Sequence, residues 1–393
     1  MDLLGHLSGR SIAIVLGDGG VGKTTVAAAL AAMSAASGRR VLAVTVDPSN
    51  RLKDSLGLSG TPGVEEEVPL RDFAPAPGGS LRAMVLDAAT ELDRVVREAS
   101  PSDEVRRRIT ENVFYRKAAS RMTGTHEYMA FTRLSDALAS GRHDLVVLDT
   151  PPERHALDFL DAPARLDSLL GNDAFRLFVS ASAGLSRAGL EAIRLRRLVL
   201  RGIGRFAGEE TFLQVLDFVL AFSPLYEHFR VRAARVKDLF ASPACATVLV
   251  CRPNPARCPE AGGAGPADAL RARGIEPVAV VANRVLVWPP PEAGGAGTGG
   301  GGAGPADAAS VKDALSSEPA LGLYDRDMVS ALAGRILGLA GRYRERAEED
   351  AARVTALREA VAPAPVHVVP GLREEVRDLA SLARFARVMR GAA

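Results

Sequence analysis

Cysteine and net charge are both scarce in this chain of 393 residues. The three cysteines, Cys245, Cys251 and Cys258, are too few for a disulfide framework, and their spacings match no zinc signature. Because 49 basic residues are nearly balanced by 47 acidic ones, no global field directs the chain to nucleic acid or to an acidic membrane. We therefore expect no nucleic-acid partner, and recognition of any charged partner must be local.

Long apolar runs and secretion signals are missing as well. The longest nearly apolar stretch, from Val26 to Ala36, is too short to cross a bilayer. The opening MDLLGHLSGR lacks the basic segment and apolar core of a signal peptide. The segment HEYMA begins like a zinc-protease motif, but Ala130 stands where the second histidine is required. These absences predict a cytoplasmic protein without a metalloprotease site.

Apolar residues make up 47% of the chain, which is ample for a large core. Five short runs are apolar on both faces, a pattern typical of parallel strands that helices cover on both sides. These runs are SIAIVL, VLAVTV, DLVVLD, ATVLVC and VAVVAN, which begin at Ser11, Val41, Asp144, Ala246 and Val278. The sequence therefore predicts an α/β fold with a doubly wound, mostly parallel sheet flanked by helices.

The spaces between these runs predict how the chain is organised. We expect a single domain over residues 1–393 that carries an inserted helical subdomain, because the helical stretches at about 88–140 and 155–240 are longer than ordinary crossovers. The octet GGAGPADA occurs at Gly262 and again at Gly301. Its second copy lies in a glycine-rich segment, about 289–308, that predicts a flexible loop.

A glycine-rich loop, VLGDGGVGKTT, follows the first predicted strand and opens a predicted helix. Glycines let the main chain approach an anion closely, and a helix N-terminus can face a polyphosphate. In this pattern the lysine reaches the β and γ phosphates, and the following hydroxyl ligates magnesium. The predicted nucleotide-binding residues are Gly19, Gly20, Val21, Gly22, Lys23, Thr24 and Thr25, with Thr24 as a magnesium ligand.

Two aspartates follow other predicted strands. Asp47 emerges from the second strand in TVDPSNRL, and Asp149 ends the third in LVVLDTPP. Ligands of open α/β sheets bind at this carboxyl edge of the strands. One acid could orient an attacking water while the other supports magnesium, although an aspartate near a proline is also ordinary turn chemistry. The two acids are therefore candidate residues of a hydrolytic site.

The glycine loop, DPSNRL, DTPPERHALDFL, VVANRVL and VVPGLREEV resemble, in order and spacing, the ArsA-type deviant Walker ATPases. That family includes the arsenical-pump ATPase and the ATPase that guides tail-anchored membrane proteins. The resemblance spans nearly the whole chain and is closest to an actinobacterial, Get-like branch. It implies a P-loop ATPase that uses ATP and Mg²⁺.

The resemblance also implies a role for several residues by position. Asp47 matches the acid that positions the hydrolytic water, and Asp149 matches the acid near magnesium. Asn283 matches the residue that reads adenine. Pro370 and Leu372 belong to the segment that matches the loop closing over the base. Lys23 and Asp47 are thus the implied catalytic residues.

Asp18 departs from the family pattern, because the family normally has a second lysine there that reaches into the partner's site of a dimer. Three interpretations follow. The chain forms a heterodimer with a paralogous ATPase that keeps the lysine, which the paired paralogues of the Get-like branch favour. Alternatively, a homodimer hydrolyses ATP slowly with Arg51 or Arg154 as a substitute. In the third, the chain is a nucleotide-binding scaffold with little turnover.

The sequence defines less well which cargo or client protein such an ATPase would act on. An arsenite site needs three converging thiolates, and the cysteines lie outside the predicted helical insertion, while no Cys-x-x-Cys clasp of the tail-anchor type is present. Apolar residues in the insertion could form a groove for a helical client. An alternative is a surface-positioning ATPase, whose C-terminal helix with Leu379, Leu382 and Phe385 would make peripheral membrane contact, although packing against the sheet is the preferred interpretation.

Overall fold

The computed structural model describes residues 3–46, 51–59, 61–112, 115, 125–150, 225–253, 266–272, 274–288, 308–318 and 325–391. Within them, eight strands form one sheet. The strands are β1 (Ile12–Gly17), β2 (Arg40–Thr45), β3 (Glu66–Val68), β4 (Ser80–Val85), β5 (Leu145–Asp149), β6 (Cys245–Cys251), β7 (Ala279–Val285) and β8 (Val366–Pro370). Their order is β3-β4-β2-β5-β1-β6-β7-β8. Only β3 pairs antiparallel, with β4.

The predicted α/β fold is confirmed, and each of the five apolar runs forms a parallel strand. Strands β3, β4 and β8 were not predicted. The helices are α1 (Lys23–Ala36), α2 (Arg51–Leu56), α3 (Ala88–Ala99), α4 (Asp103–Thr110), α5 (Thr125–Ala139), α6 (Tyr226–Ala241), α7 (Pro266–Arg271), α8 (Ala308–Ser316), α9 (Arg326–Val361) and α10 (Leu379–Gly391).

Two apolar clusters lie on opposite faces of the sheet, because side chains alternate along each strand. The first cluster joins one face of the strands to α1, α2 and α10. The second joins the other face to α3, α5, α6 and the C-terminal half of α9. Helix α1 is so rich in alanine that its backbone approaches the sheet closely, and almost all of its side chains are buried.

The C-terminal helix α10 packs against the core. Leu382, Phe385 and Met389 are buried in the same cluster as α1, and the helix contacts α1 and β8. This is the packing that the sequence favoured over a membrane-lying helix. Within the described part of the chain, no helix combines the length and the apolar character that a membrane crossing requires.

The domain predictions are only partly covered by the described residues. Helices α3 and α5 lie within the first predicted helical stretch, 88–140, and α6 lies within the second, 155–240; all three pack on the sheet. Residues 151–224 and 289–307 lie outside the described residues. The inserted helical subdomain and the flexible glycine-rich loop therefore stay predictions.

Candidate functional site

The glycine loop connects the end of β1 to the start of α1. Gly20 and Gly22 have φ angles of 77° and 97°, a left-handed backbone that favours glycine. A Cβ on Gly22 would lie 2.3 Å from Nδ2 of Asn283, so this position also lacks room for a side chain. The loop geometry therefore requires the glycine that the sequence pattern supplies.

Lys23 is the first residue of α1 and is 5% exposed. Its Nζ donates a hydrogen bond of 2.9 Å to the backbone carbonyl of Asp18, so the ammonium lies over the loop. Thr24 is also buried at the helix start. An ammonium, a hydroxyl and a helix N-terminus thus converge where the loop meets α1, an arrangement suited to a bound anion.

Asp149 ends β5, in register with Val15 of β1, and is 1% exposed. Its Oδ2 accepts a hydrogen bond of 3.0 Å from the hydroxyl of Thr45 at the end of β2. The neighbouring Thr150 hydroxyl donates to the carbonyl of Val15 at 2.8 Å. A carboxylate is therefore held at the sheet edge beside the glycine loop. Asp47 lies outside the described residues, and its role stays a prediction.

The oxygen donors near the loop fit magnesium. Thr24 provides a hydroxyl, and Asp149 provides a carboxylate, which are ligand types that Mg²⁺ prefers. Among the described residues, no cluster of three or more His, Cys, Asp or Glu side chains could hold a metal by itself. A magnesium ion at this edge would therefore take its remaining ligands from water and from phosphate oxygens, as such sites usually do.

Asn283 connects β7 to the glycine loop. Its Nδ2 donates a hydrogen bond of 2.8 Å to the carbonyl of Val21, and its Oδ1 accepts one of 3.0 Å from the backbone N–H of Arg284. The side chain is 2% exposed. A carboxamide has two donor hydrogens and two acceptor lone pairs, so a further donor and acceptor remain after these bonds. Asn283 therefore lies against the loop, and its contact with adenine stays a prediction.

The end of β7 bends toward the segment after β8. Arg284 has a φ of 60°, an uncommon backbone for arginine, and a register shift separates Asn283 from Val285. The N–H of Gly371 donates to the carbonyl of Val285 at 3.0 Å. The segment that begins at Pro370 is therefore attached to the bulged end of β7.

One cleft of about 1250 Å³ is lined by the glycine loop, the start of α1, the end of β7 and the segment after β8. Asp149 is not among the lining residues. The cleft brings together predicted residues from distant parts of the chain: Gly20, Gly22, Lys23, Thr24, Thr25, Asn283, Pro370 and Leu372. Gly19 is an exposed loop residue, and Val21 is buried beneath the loop, where its carbonyl meets Asn283. The volume exceeds the roughly 300 Å³ at the lower end of small-molecule sites, so the cleft is large enough for a nucleotide.

Several cationic residues on the cleft were not predicted from the sequence. They are Lys53, Arg252, Arg284, Arg373 and Arg377. Arg252 comes directly after the run ATVLVC, so the rule that selected Asp47 and Asp149 after their strands could have selected it too. Arg377 pairs with Glu375 at 3.0 Å on the exposed rim. The cleft is therefore richer in positive charge than the glycine loop alone indicates.

The cysteines do not converge. Cys245 and Cys251 are at opposite ends of β6, and six steps along a strand separate them by about 20 Å. Burial raises the pKa of the Cys245 thiol to about 12, which keeps it protonated at neutral pH. Cys258 lies outside the described residues. Cys245 and Cys251 cannot bind the same metalloid atom.

Residues 10–190 match the family model for anion-transporting ATPases of the ArsA type. This part of the chain is similar to the ArsA ATPases. The matched region includes β1, the glycine loop, α1 and Asp149, and of these the loop and the start of α1 line the cleft. The resemblance inferred from the sequence motifs is therefore confirmed for the ArsA-type region.

Of three curated relatives of this chain, two carry ATPase names. The chain is 29% identical over 154 residues to "ATPase GET3" of Malassezia globosa, covering 39% of this chain and 43% of that protein. It is 26% identical over 152 residues to "ATPase ASNA1 homolog 2" of Paramecium tetraurelia, covering 37% and 42%. It is 30% identical over 162 residues to "Protein Rv2184c" of Mycobacterium tuberculosis, covering 39% and 37%. The chain thus spans less than half the length of each of these relatives.

Proposed function

We propose that this protein binds Mg-ATP in the cleft and hydrolyses its β–γ phosphoanhydride bond. The observation that carries the proposal is the joining of three distant segments: the glycine loop with Lys23, the end of β7 with Asn283, and the segment from Pro370. One end of the cleft offers anion-binding groups, and the other offers a pocket beyond two strand ends. That arrangement suits a polyphosphate joined to a base. The ArsA family match and the ATPase names of the relatives support the same reaction.

Each residue then has a distinct part in binding and hydrolysis. The loop N–H groups and Lys23 hold the β and γ phosphates and stabilise the charge that develops on them. Thr24 and Asp149 supply oxygen ligands for magnesium, which when bound neutralises phosphate charge. Asp47 orients the attacking water, and the segment with Pro370 and Leu372 closes over the base.

Asp18 leads us to propose a heterodimer. Its backbone carbonyl is the acceptor for Lys23, so residue 18 belongs to the phosphate loop itself. If two copies faced each other across their nucleotides, each Asp18 would meet the partner's phosphates. Two like unit charges about 4 Å apart repel by about 4 kcal/mol at the effective dielectric of a protein surface. A paralogue with lysine at this position would replace that repulsion by attraction and complete this chain's site.

The process that ATP hydrolysis drives is proposed from similarity to the relatives. In this proposal, nucleotide-dependent rearrangement of the dimer acts on a client or partner protein in the cytoplasm, with a helical segment as the client. An arsenite cargo is disfavoured because Cys245 and Cys251 are about 20 Å apart. Surface positioning through α10 is disfavoured because its apolar face is buried.

Phosphate release from Mg-ATP by the purified chain tests the proposal, alone and mixed with a lysine-bearing paralogue. We expect tight ATP binding with slow turnover alone, faster turnover in the mixture, and loss of activity in Lys23→Ala. Turnover by the chain alone at the rate of the mixture would remove the need for a heterodimer. ATP binding without turnover in any mixture would support the scaffold instead. Absence of ATP binding would contradict the proposed function altogether.

A further inference from the structure

Strand order determines how a nucleotide can lie in the cleft. The glycine loop follows β1, whereas Asn283 ends β7 and Pro370 ends β8, and all of these strands are parallel. Because β6 lies between β1 and β7, the end of β6 is beneath the path from the phosphate end to the base end of the cleft. Neighbouring strands are about 4.8 Å apart, so this path from β1 to β7 is about 10 Å long.

Arg252 is the residue at that intermediate place. It directly follows β6, two residues beyond Val250, which is in register with Gly17 of β1. Val248 and Val250 belong to the apolar cluster on the α1 side of the sheet, and Leu249 belongs to the opposite cluster. Continued alternation directs Arg252 to the α1 side, and its side chain lines the cleft there.

No acidic residue in the described part of the chain neutralises the positive charge of Arg252. Its side chain is exposed, and it forms no ion pair or hydrogen bond with another residue in the described part of the chain. Three acidic residues line the cleft, and none of them pairs with Arg252: Glu374 pairs with Arg384, Glu375 pairs with Arg377, and Asp54 belongs to α2. Arg252 therefore presents an uncompensated guanidinium to the middle of the cleft.

We propose that Arg252 binds the α-phosphate of the nucleotide. The proposal rests on the proposed function, because it assumes that a nucleotide occupies the cleft with its β and γ phosphates on the glycine loop and its base near β7 and β8. Between those two ends a nucleotide has only its ribose and its α-phosphate, and of these only the phosphate is anionic. A guanidinium forms strong, charge-assisted and often bidentate hydrogen bonds with phosphate.

Calorimetric titration with Mg-ADP, AMP and adenosine tests this assignment in the full chain. In Arg252→Gln, we expect AMP and ADP to bind about 10- to 100-fold more weakly, which is the usual range for losing a hydrogen bond to a charged group. Adenosine affinity should stay within about twofold of wild type, because adenosine has no phosphate. Arg252→Lys should recover part of the lost affinity by retaining the charge.

Two further variants separate the α-phosphate contact from other effects. Lys23→Ala should weaken ATP and ADP but spare AMP, which lacks the β and γ phosphates. Arg346→Gln removes the same charge from an exposed site on α9, away from the residues that line the cleft, and should change no affinity. Thermal unfolding of every variant checks that the fold is retained, and exposed Arg252 is expected to tolerate the substitution.

The outcomes distinguish this inference from the proposed function. Unchanged AMP affinity in Arg252→Gln, or an equal loss for adenosine, overturns the assignment while ATP binding by the wild type still supports the proposed function. Wild-type affinity for AMP no greater than for adenosine also overturns it, because the α-phosphate would then add nothing. If the wild type binds no ATP, the proposed function fails and the inference fails with it.

Discussion

At the scale of single residues, the contact between Gly22 and Asn283 links the phosphate loop to β7. Gly22 has a left-handed backbone, and a Cβ there would lie 2.3 Å from Nδ2 of Asn283. Gly9 has a similar φ of 70°, but a Cβ there would meet nothing within 4 Å. The two positions therefore separate backbone strain from the loss of this contact.

We predict that Gly22→Ala and Gly9→Ala both reduce the free energy of unfolding, by about 1–2 kcal/mol for the left-handed backbone alone. Gly22→Ala should cost more, because Asn283 must move and its hydrogen bond to Val21 is lost. ATP affinity should fall at least about tenfold in Gly22→Ala only. Chemical denaturation and calorimetric ATP titration measure both effects. Wild-type ATP affinity in Gly22→Ala would show that the Asn283 contact does not shape the loop.

The sequence predicted the residues of the loop, because their types and order carry the chemistry directly. It also placed Asn283, Pro370 and Leu372 near the base through a family resemblance, and the structure puts them on the same cleft. Arg252 and Arg284 were not predicted. Arg284 reaches the cleft through a bulge and a positive φ, and Arg252 does so through the order of β1, β6 and β7. Both depend on long-range pairing that a local pattern does not contain.

At the scale of secondary structure, burial explains which strands the sequence predicted. Strands β1, β2, β5, β6 and β7 are interior strands with apolar residues on both faces, so their runs are conspicuous. Strand β3 contains three residues, two of them glutamate, at one edge of the sheet. Strand β8 is at the other edge and includes His367 and a terminal proline. Such strands gain their stability from their neighbours, so their own composition predicts them poorly.

An ion pair joins the starts of two central strands. The carboxylate of Asp144, just before β5, accepts hydrogen bonds from the backbone N–H and the guanidinium of Arg40 at the start of β2. These bonds lower the pKa of Asp144 from its ordinary value of 3.8 to about 2. Because the folded state favours the ionised carboxylate, its contribution to stability is complete above pH 4 and is lost as the pH falls toward 2.

We predict that Asp144→Asn lowers the thermal midpoint at pH 7 by a few degrees and that its difference from wild type becomes smaller as the pH falls from 4 toward 2. The matched control is Glu318→Gln, which neutralises an exposed carboxylate two residues after α8 and should change the midpoint little at any pH. Thermal unfolding at a series of pH values measures the difference. A difference that is the same at pH 3 and pH 7 would contradict the assigned role of the carboxylate.

At the scale of the whole molecule, the proposed heterodimer depends on Asp18. The chain is nearly neutral, with a net charge of +2, so association is not opposed by overall charge. In this proposal the obstacle to a homodimer is local, since each copy would bring a carboxylate on its phosphate loop toward the other copy's nucleotide. Repulsion of this kind acts only when nucleotide is bound and weakens as salt screens it.

We predict that the wild-type chain with Mg-ATP remains a monomer by light scattering, forms a heterodimer when a lysine-bearing paralogue is added, and self-associates more strongly as Asp18→Lys. Glu318→Lys makes the same change in net charge at an exposed site outside the phosphate loop, and it should not promote self-association. The gain in Asp18→Lys should require ATP and should shrink at high salt, because the new attraction is between an ammonium and phosphate. A wild-type chain that dimerises with ATP as tightly as Asp18→Lys would show that residue 18 does not face a partner's nucleotide, and the homodimer would then be the functional assembly.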